Sequence, residues 1–145
     1  MAKQDELHAL MRDVPLFAGL LGSEVERVAL VMNPRQLSVG ETICTEGEPG
    51  HEFYVIASGE VEVERRGQSV AKLSRGDHFG ELALLDRGPR SATVRAIGDA
   101  RVYVLHEQSF AAVLNEVPAL AQKLLATLAS RLRDAESQLA SRTIN

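Results

Sequence analysis

Between Gly40 and Gly98 the chain carries glycine at Gly40, Gly47, Gly50, Gly59, Gly67, Gly76, Gly80, Gly88 and Gly98, and several stretches between them alternate apolar with polar residues. This is the punctuation of an all-β segment, since a period of two matches the pleat of a strand and glycine suits the turns. Val61-Glu62-Val63-Glu64 alternates its faces, Arg66-Gly67 predicts a two-residue turn, and Val70-Ala71-Lys72-Leu73 returns. Phe53-Tyr54-Val55-Ile56 is continuously apolar, as a strand covered on both faces would be. Ala92, Val94 and Ala96 alternate with Thr93 and Arg95, Gly98-Asp99 turns the chain, and Val102 and Val104 bring it back. About eight short strands result from Arg35 to His106, and that number fits a jelly-roll-like β-roll in which two sheets fold over each other.

Both flanks switch to helical spacing. Residues 3–12 place Leu7, Leu10 and Met11 on one face before Pro15. Ser23 and Glu26 form a capping-box pattern ahead of Val25, Val28, Ala29 and Met32, and Asn33-Pro34 stops that helix. After His106, Phe110, Val113 and Leu114 define a short helix, and Pro118 introduces a longer one. Along it Ala121, Leu125, Leu128, Leu132, Ala135 and Leu139 form a heptad seam, with Leu120 and Leu124 as a second apolar stripe. Either the seam packs on the roll of its own chain, or the stripe does so and the seam of 121–139 pairs two chains across a two-fold axis. Arg131, Arg133, Asp134 and Glu136 read as a solvated face. The expected class is therefore α+β: an eight-stranded roll with N-terminal helices, one short helix within the β region and C-terminal helices.

Composition narrows the function. At 145 residues the chain is sized for one domain, and its 45% hydrophobic and 25% charged content describes an ordinary globule. A net charge of −4 argues against a surface built for direct nucleic-acid binding, which needs a basic stripe. Cys44 stands alone, no apolar segment follows the polar start, and no run approaches the ~20 residues that cross a bilayer, so a cytoplasmic setting without a membrane segment is expected. An enzyme finds little support. His8, His51, His78 and His106 lack metal-ligand spacing, and neither a P-loop nor a nucleophile elbow is present. A jelly-roll metalloenzyme built on His51, His78 and His106 is the remaining catalytic alternative; His78 itself reads as a polar turn residue.

One stretch does carry chemistry. Gly76 to Val94 reads G-D-H-F-G-E-L-A-L-L-D-R-G-P-R-S-A-T-V. Gly80 lets the backbone turn closely around a ligand, and Glu81-Leu82-Ala83-Leu84-Leu85 is long enough for one or two helical turns whose first amides lack partners within the helix. Arg90, held by Gly88-Pro89, offers a planar, permanently charged fork to an anionic oxygen. A carboxylate beside a phosphate would repel it, so Glu81 makes sense only as an acceptor for nearby hydroxyls, such as those of a ribose. The bland alternatives are a solvated Glu81–Arg90 ion pair and a simple turn at Gly80.

The string F-G-E-L-A-L from Phe79, followed by P-R-S-A-T from Pro89, resembles the phosphate cassette of the cyclic-nucleotide-binding domain family, found in protein kinase A regulatory subunits and in catabolite-activator-type regulators. Gly40 to Val63, G-E-x-I-C-T-E-G-E-P-G-x-x-F-Y-V-I-x-x-G-x-V-x-V, is similar to the first half of the same roll, which extends the resemblance over nearly the whole chain. It implies a single domain over 1–145, with a helical lead-in at 1–33, the roll at 34–106 with its cassette at 79–92, and terminal helices at 107–141. It also implies a ribose contact at Glu81, a cyclic-phosphate contact at Arg90, and a cradle of Gly80, Leu82, Ala83, Ser91 and Ala92. In related domains the terminal helix covers the base, and the hydroxyl pair that reads adenine in bacterial regulators would fall on Ala135 and Glu136, which cannot act that way. Threonine after the arginine accompanies guanine and alanine accompanies adenine; Ser91 lies between, so cAMP is the expected ligand and cGMP the alternative, with no cofactor besides. The implied function is a non-enzymatic regulatory domain coupling the nucleotide to its C-terminal helix, through Leu84, Leu85 and Phe110, and acting on an effector protein. Alternatives are a truncated cAMP-responsive transcription regulator, a regulatory fragment of a larger channel or enzyme, and a ligand-free docking roll.

Overall fold

The computed structural model describes residues 2–144, with side chains over 5–140, so the outermost residues of the expected 1–145 unit lie outside the described ones. Helix α1 (Ala2–Asp13) buries Leu7, Leu10 and Met11, the stripe its spacing predicts. A 3-10 turn at Pro15–Phe17 then leads to α2 (Gly22–Ala29). This helix starts earlier than the Ser23–Glu26 pattern predicts. Its N-cap is Leu21, whose backbone N–H donates to Glu24 Oε1 at 2.8 Å. Glu24 thereby supplies the reach-back half of a capping box, which needs no hydroxyl at the cap. Val28 and Met32 are buried as expected.

Eight strands follow: β1 (Asn33–Leu37), β2 (Thr42–Cys44), β3 (Glu52–Ser58), β4 (Val61–Arg65), β5 (Gln68–Leu73), β6 (His78–Phe79), β7 (Thr93–Ala96) and β8 (Ala100–His106). They form two antiparallel four-stranded sheets, ordered β1-β8-β3-β6 and β2-β7-β4-β5. The β4–β5 turn has Arg66 at φ 53° and Gly67 at φ 78°, the paired left-handed geometry that suits a two-residue hairpin loop.

The apolar run in β3 has a two-sided explanation. Phe53, Val55 and Ala57 join Tyr103 and Leu105 of β8 in a core shared with the helices, whereas Tyr54 and Ile56 join Val102 and Val104 in the interior of the roll with Leu37, Val61 and Val94. Central strands wedged between two cores cannot alternate polar residues.

Within the roll, α3 (Glu81–Asp86) is the short cassette helix, and after β8 come α4 (Glu107–Glu116) and α5 (Pro118–Ile144). Leu120 and Leu124 of α5 are buried in the helical core with Leu128 packed against it, while Leu125, Leu132 and Leu139 stay exposed. The heptad seam is thus split: Leu128 turns toward its own chain and the three leucines seven residues apart face outward. Among the described residues no helix is long and apolar enough to cross a membrane.

Candidate functional site

Phe79 ends β6, Gly80 turns at φ 97°, and α3 begins at Glu81, so the cassette leaves the sheet in a single tight step. The far end of the cassette is strapped to the β2–β3 loop. The Arg90 N–H donates to Glu48 O at 2.8 Å, and the Gly47 N–H donates to Arg90 O at 2.9 Å. Glu81 and Arg90 are only 2% and 7% exposed, so neither is a surface group.

The two do not form the ion pair that the bland reading of the sequence allows. Arg90 instead donates from Nη1 to Gly80 O at 3.0 Å and from Nη2 to Glu52 O at 2.9 Å, with its guanidinium 5.7 Å from the centre of the Tyr54 ring. Tyr54 is stacked on Phe79 at 4.8 Å and donates its hydroxyl to Glu52 Oε1 at 2.8 Å. A methyl on Gly50 would lie 2.3 Å from Arg90 Nε, and one on Gly80 would lie 2.8 Å from both Arg90 Nη1 and Glu52 O. The arginine is threaded between two positions that only glycine leaves open. A guanidinium has five N–H donors, so two carbonyls leave several for an anion.

Glu81 accepts from Arg131 Nη1 at 2.7 Å on Oε1, and its Oε2 lies 3.6 Å from His78 Nδ1. At that separation the imidazole is a polar neighbour rather than a hydrogen-bond donor. Burial pushes the Glu81 carboxyl up, but His78, the residue's own backbone amide and Arg131 together outweigh it and hold the carboxyl below the usual carboxylate range. Two expectations are corrected here. Arg131 is more than part of a solvated face: its side chain is half exposed, yet its guanidinium reaches from α5 to Glu81. His78 is not a turn residue, since it pairs with Val55 in β6 and is buried against Phe53 at 5.5 Å.

These groups line a cavity of about 600 Å³ between the roll and α5. All the residues singled out from the sequence, Gly80, Glu81, Leu82, Ala83, Arg90, Ser91 and Ala92, lie on its wall. Arg65, Arg131 and Gln138 join them, Arg65 donating from Nε to Ser91 O at 3.3 Å. Cys44 also lines it, its thiol pushed up to about 11 by burial against the opposing charge of Arg90. Three guanidiniums against one carboxylate make the wall favourable to an anion. Among the described residues no three histidine, cysteine or acidic side chains cluster in a way that could hold a metal ion: His51 lies 3.3 Å from Glu107, His78 beside Glu81, and His106 caps α4.

The sequence missed Tyr54, Glu52 O, Gly50, His78 and Arg131 as members of the site. An arginine on the helix expected to cover the base was the available signal for Arg131; Glu52, Tyr54 and His78 come from the long-range pairing of β3 with β6, and Gly50 from the strapping of the β2–β3 loop to Arg90.

A second cavity, of about 660 Å³, lies on the other side of α3 between Leu84, Pro89 and α4, and holds neither Glu81 nor Arg90. Leu84 packs on the helical core that contains Phe110, as expected, whereas Leu85 is 43% exposed and takes no part.

Residues 34–117 match the family model of the cyclic nucleotide-binding domain. The chain is 40% identical over 122 residues to the cAMP-dependent protein kinase regulatory subunit of Mycosarcoma maydis, covering 78% of this chain and 23% of that protein. The crystal structure of the Thermus thermophilus catabolite activator protein superposes with a TM-score of 0.81 at 36% identity, covering 87% of this chain and 62% of that one. The regulatory domain of Toxoplasma gondii PKA, crystallised with cAMP, gives a TM-score of 0.70 at 29% identity over 77% of this chain and 44% of that one. The chain therefore spans less than two thirds of each of these proteins. With its eight-stranded roll, its intact cassette and a match over more than half of its length, the chain belongs to the cyclic nucleotide-binding domain family.

Proposed function

We propose that residues 1–145 act as one regulatory unit that binds a cyclic nucleotide, cAMP, in the cavity beneath α5 and passes its occupancy to that helix. The observation that carries this reading is the pair of buried groups on one wall that do not pair with each other: Glu81, a carboxylate of the kind that accepts from ribose hydroxyls, and Arg90, with donors to spare for a cyclic phosphate. Leu82, Ala83, Ser91 and Ala92 close the cradle, and Gly80 allows its tight entry. The preference for cAMP over cGMP is supported by the names of the relatives, a cAMP-dependent kinase subunit and a regulatory domain crystallised with cAMP.

Coupling follows from Arg131. It neutralises Glu81, which would otherwise repel an incoming phosphate, so nucleotide and α5 favour the same closed arrangement. Such couplings are worth about 1–3 kcal/mol. The 660 Å³ cavity behind α3 gives the cassette and α4 room to move together. The chain itself catalyses nothing in this reading; it acts in the cytoplasm through an effector protein, and the exposed leucines of α5 pair two copies.

Isothermal titration with cAMP and cGMP tests the assignment. Micromolar or tighter binding of cAMP, weaker binding of cGMP, and a loss of about 2–5 kcal/mol in Arg90→Ala are expected, as for removing one partner of a buried charged contact. Equal affinity for the two nucleotides would sink the cAMP assignment, and an Arg90→Ala variant within about 1 kcal/mol of wild type would sink the site.

A further inference from the structure

Two buried side-chain atoms among the described residues have no hydrogen-bond partner, Tyr103 Oη and His78 Nδ1, and only His78 lies on the wall of the cavity. An atom buried unpaired costs free energy, and the group that would relieve it, Glu81 Oε2, stands 3.6 Å away. His78 pairs with Val55 across β6 and β3, so it shares the face of the sheet that carries Val55 and Phe53 to the helical core, and its ring lies 5.5 Å from that of Phe53.

Toward the cavity α3 presents Glu81, and α5 presents Arg131, which holds the other carboxylate oxygen, Oε1, at 2.7 Å. The remaining ionisable groups nearby are engaged elsewhere. Arg90 donates to Gly80 O and Glu52 O, Arg65 donates to Ser91 O, burial keeps the Cys44 thiol protonated, and Asp77, next in the chain, accepts from the Ser74 N–H. The Glu81 carboxylate therefore stands between two side chains of different kinds. Arg131 is always charged, but it is half exposed and reaches Glu81 only while α5 lies across the cavity. His78 is built into the sheet and stays beside Glu81 wherever α5 goes, but it carries charge only when protonated.

We propose that His78 is a second positioning residue for Glu81 and makes the site proton-sensitive: with α5 in place Arg131 holds the carboxylate and His78 is neutral, and with α5 displaced His78 takes up a proton and holds it instead. This rests on the cyclic-nucleotide reading of the cavity and on its coupling to α5, and it adds the proton as a second input to that coupling. A displaced Arg131 leaves behind a buried carboxylate, and a carboxylate favours the charged form of an imidazole beside it. A shift of under ~1 Å brings Nδ1 and Oε2 from 3.6 Å to the distance of a charge-assisted hydrogen bond. The state without nucleotide then binds the proton more tightly than the state with it, so by linkage acid weakens nucleotide binding. The added charge does not reverse this sign, because the imidazolium replaces a guanidinium at the same carboxylate.

The test is isothermal titration of the whole chain with cAMP at intervals between about pH 8 and about pH 6, where an ordinary histidine changes charge. Paired buffers of different ionisation enthalpy report the protons taken up or released on binding. Wild type is expected to lose at least about threefold in affinity toward acid, within the limit of about tenfold per pH unit that one coupled proton sets, and to release protons on binding. Two variants are expected to lose both the slope and the proton release: His78→Phe, which keeps a ring against Phe53, and His78→Gln, which keeps a polar group beside Oε2 but cannot titrate. Arg131→Ala is expected to invert the slope, since His78 is then left to neutralise Glu81, and acid relieves the repulsion of the phosphate. A wild type whose affinity falls by less than the expected factor, or a His78→Gln variant that keeps the wild-type slope, would overturn the role of His78 and leave the nucleotide site intact. An Arg131→Ala slope of the wild-type sign would overturn the exchange of partners. Absence of cAMP binding by wild type at every pH would overturn the cyclic-nucleotide reading and the inference with it.

Discussion

Arg90 is held by geometry that two other residues must permit. Gly50 comes within 2.3 Å of its Nε once a Cβ is added, and the side chain has no slack because Gly80 O and Glu52 O pin its far end. Gly50→Ala is therefore expected to displace the guanidinium at a cost of about 1–3 kcal/mol, the usual penalty for overpacking, read as weaker nucleotide binding with the fold retained. Gly80→Ala should be worse, since φ 97° adds backbone strain to the contact with Glu52 O. Glu81 gives a pH signature. Its carboxyl is lowered in the folded chain, so the unfolded chain binds the proton more readily. Its contribution to stability is present above the ordinary carboxylate range and is lost as pH falls through that range to the lowered folded value. Urea midpoints between about pH 7 and about pH 3 should fall more steeply for wild type than for Glu81→Gln, and parallel curves would remove Glu81 as a source. At this scale Glu81 and Arg90 were legible because the cassette is continuous in sequence. Arg131 and Tyr54 were not, because they meet the cassette only after β3, β6 and α5 have come together from distant parts of the chain.

Among the elements, α5 has two jobs that its sequence pattern blends. Leu120, Leu124 and Leu128 dock it on the helical core, and one turn later Arg131 ties it to the cassette. Arg131→Ala should free the half of the helix beyond Leu128. Amide hydrogen exchange over 131–140 is expected to speed up, and cAMP affinity to fall at least fivefold (~1 kcal/mol), because the carboxylate it leaves uncompensated faces the phosphate. Unchanged affinity would show that Glu81 is neutralised by another group. A second connection runs through aromatic rings, with Phe53 5.5 Å from His78 at the cassette and 5.0 Å from Phe110 in α4. Element types were readable from period and glycine placement, and the strands over 53–56, 61–64, 70–73, 93–96 and 102–104 appear where the apolar pattern put them, whereas β1, β2 and β6 are too short or too polar to announce themselves. Boundaries were less so. The start of α2 was misplaced because Glu24 and Glu26 both stand near a possible cap, and only the backbone path out of the 3-10 turn decides between them.

As a whole, the molecule is two cores sharing β3 and β8, one inside the roll and one beneath the helices. Those two strands join the interior of the roll to the helical core, and the proposed coupling would run through them. The outward leucines of α5, Leu125, Leu132 and Leu139, form a narrow apolar stripe suited to a second copy of the chain. Light scattering is expected to report a dimer for wild type and a monomer for Leu125→Glu combined with Leu132→Glu; a monomeric wild type would assign the stripe to an effector. The sequence by itself determined the roll, the flanking helices and the cassette, since period, turn residues and contiguous motifs are properties of neighbours along the chain. Only the tertiary structure decided that Glu81 meets Arg131 rather than Arg90, that Leu128 turns inward while Leu132 does not, and that Gln138 looks into the cavity. Each of those depends on how α5 is rotated and placed over the roll, and the placement is set by packing across long separations that no local pattern encodes.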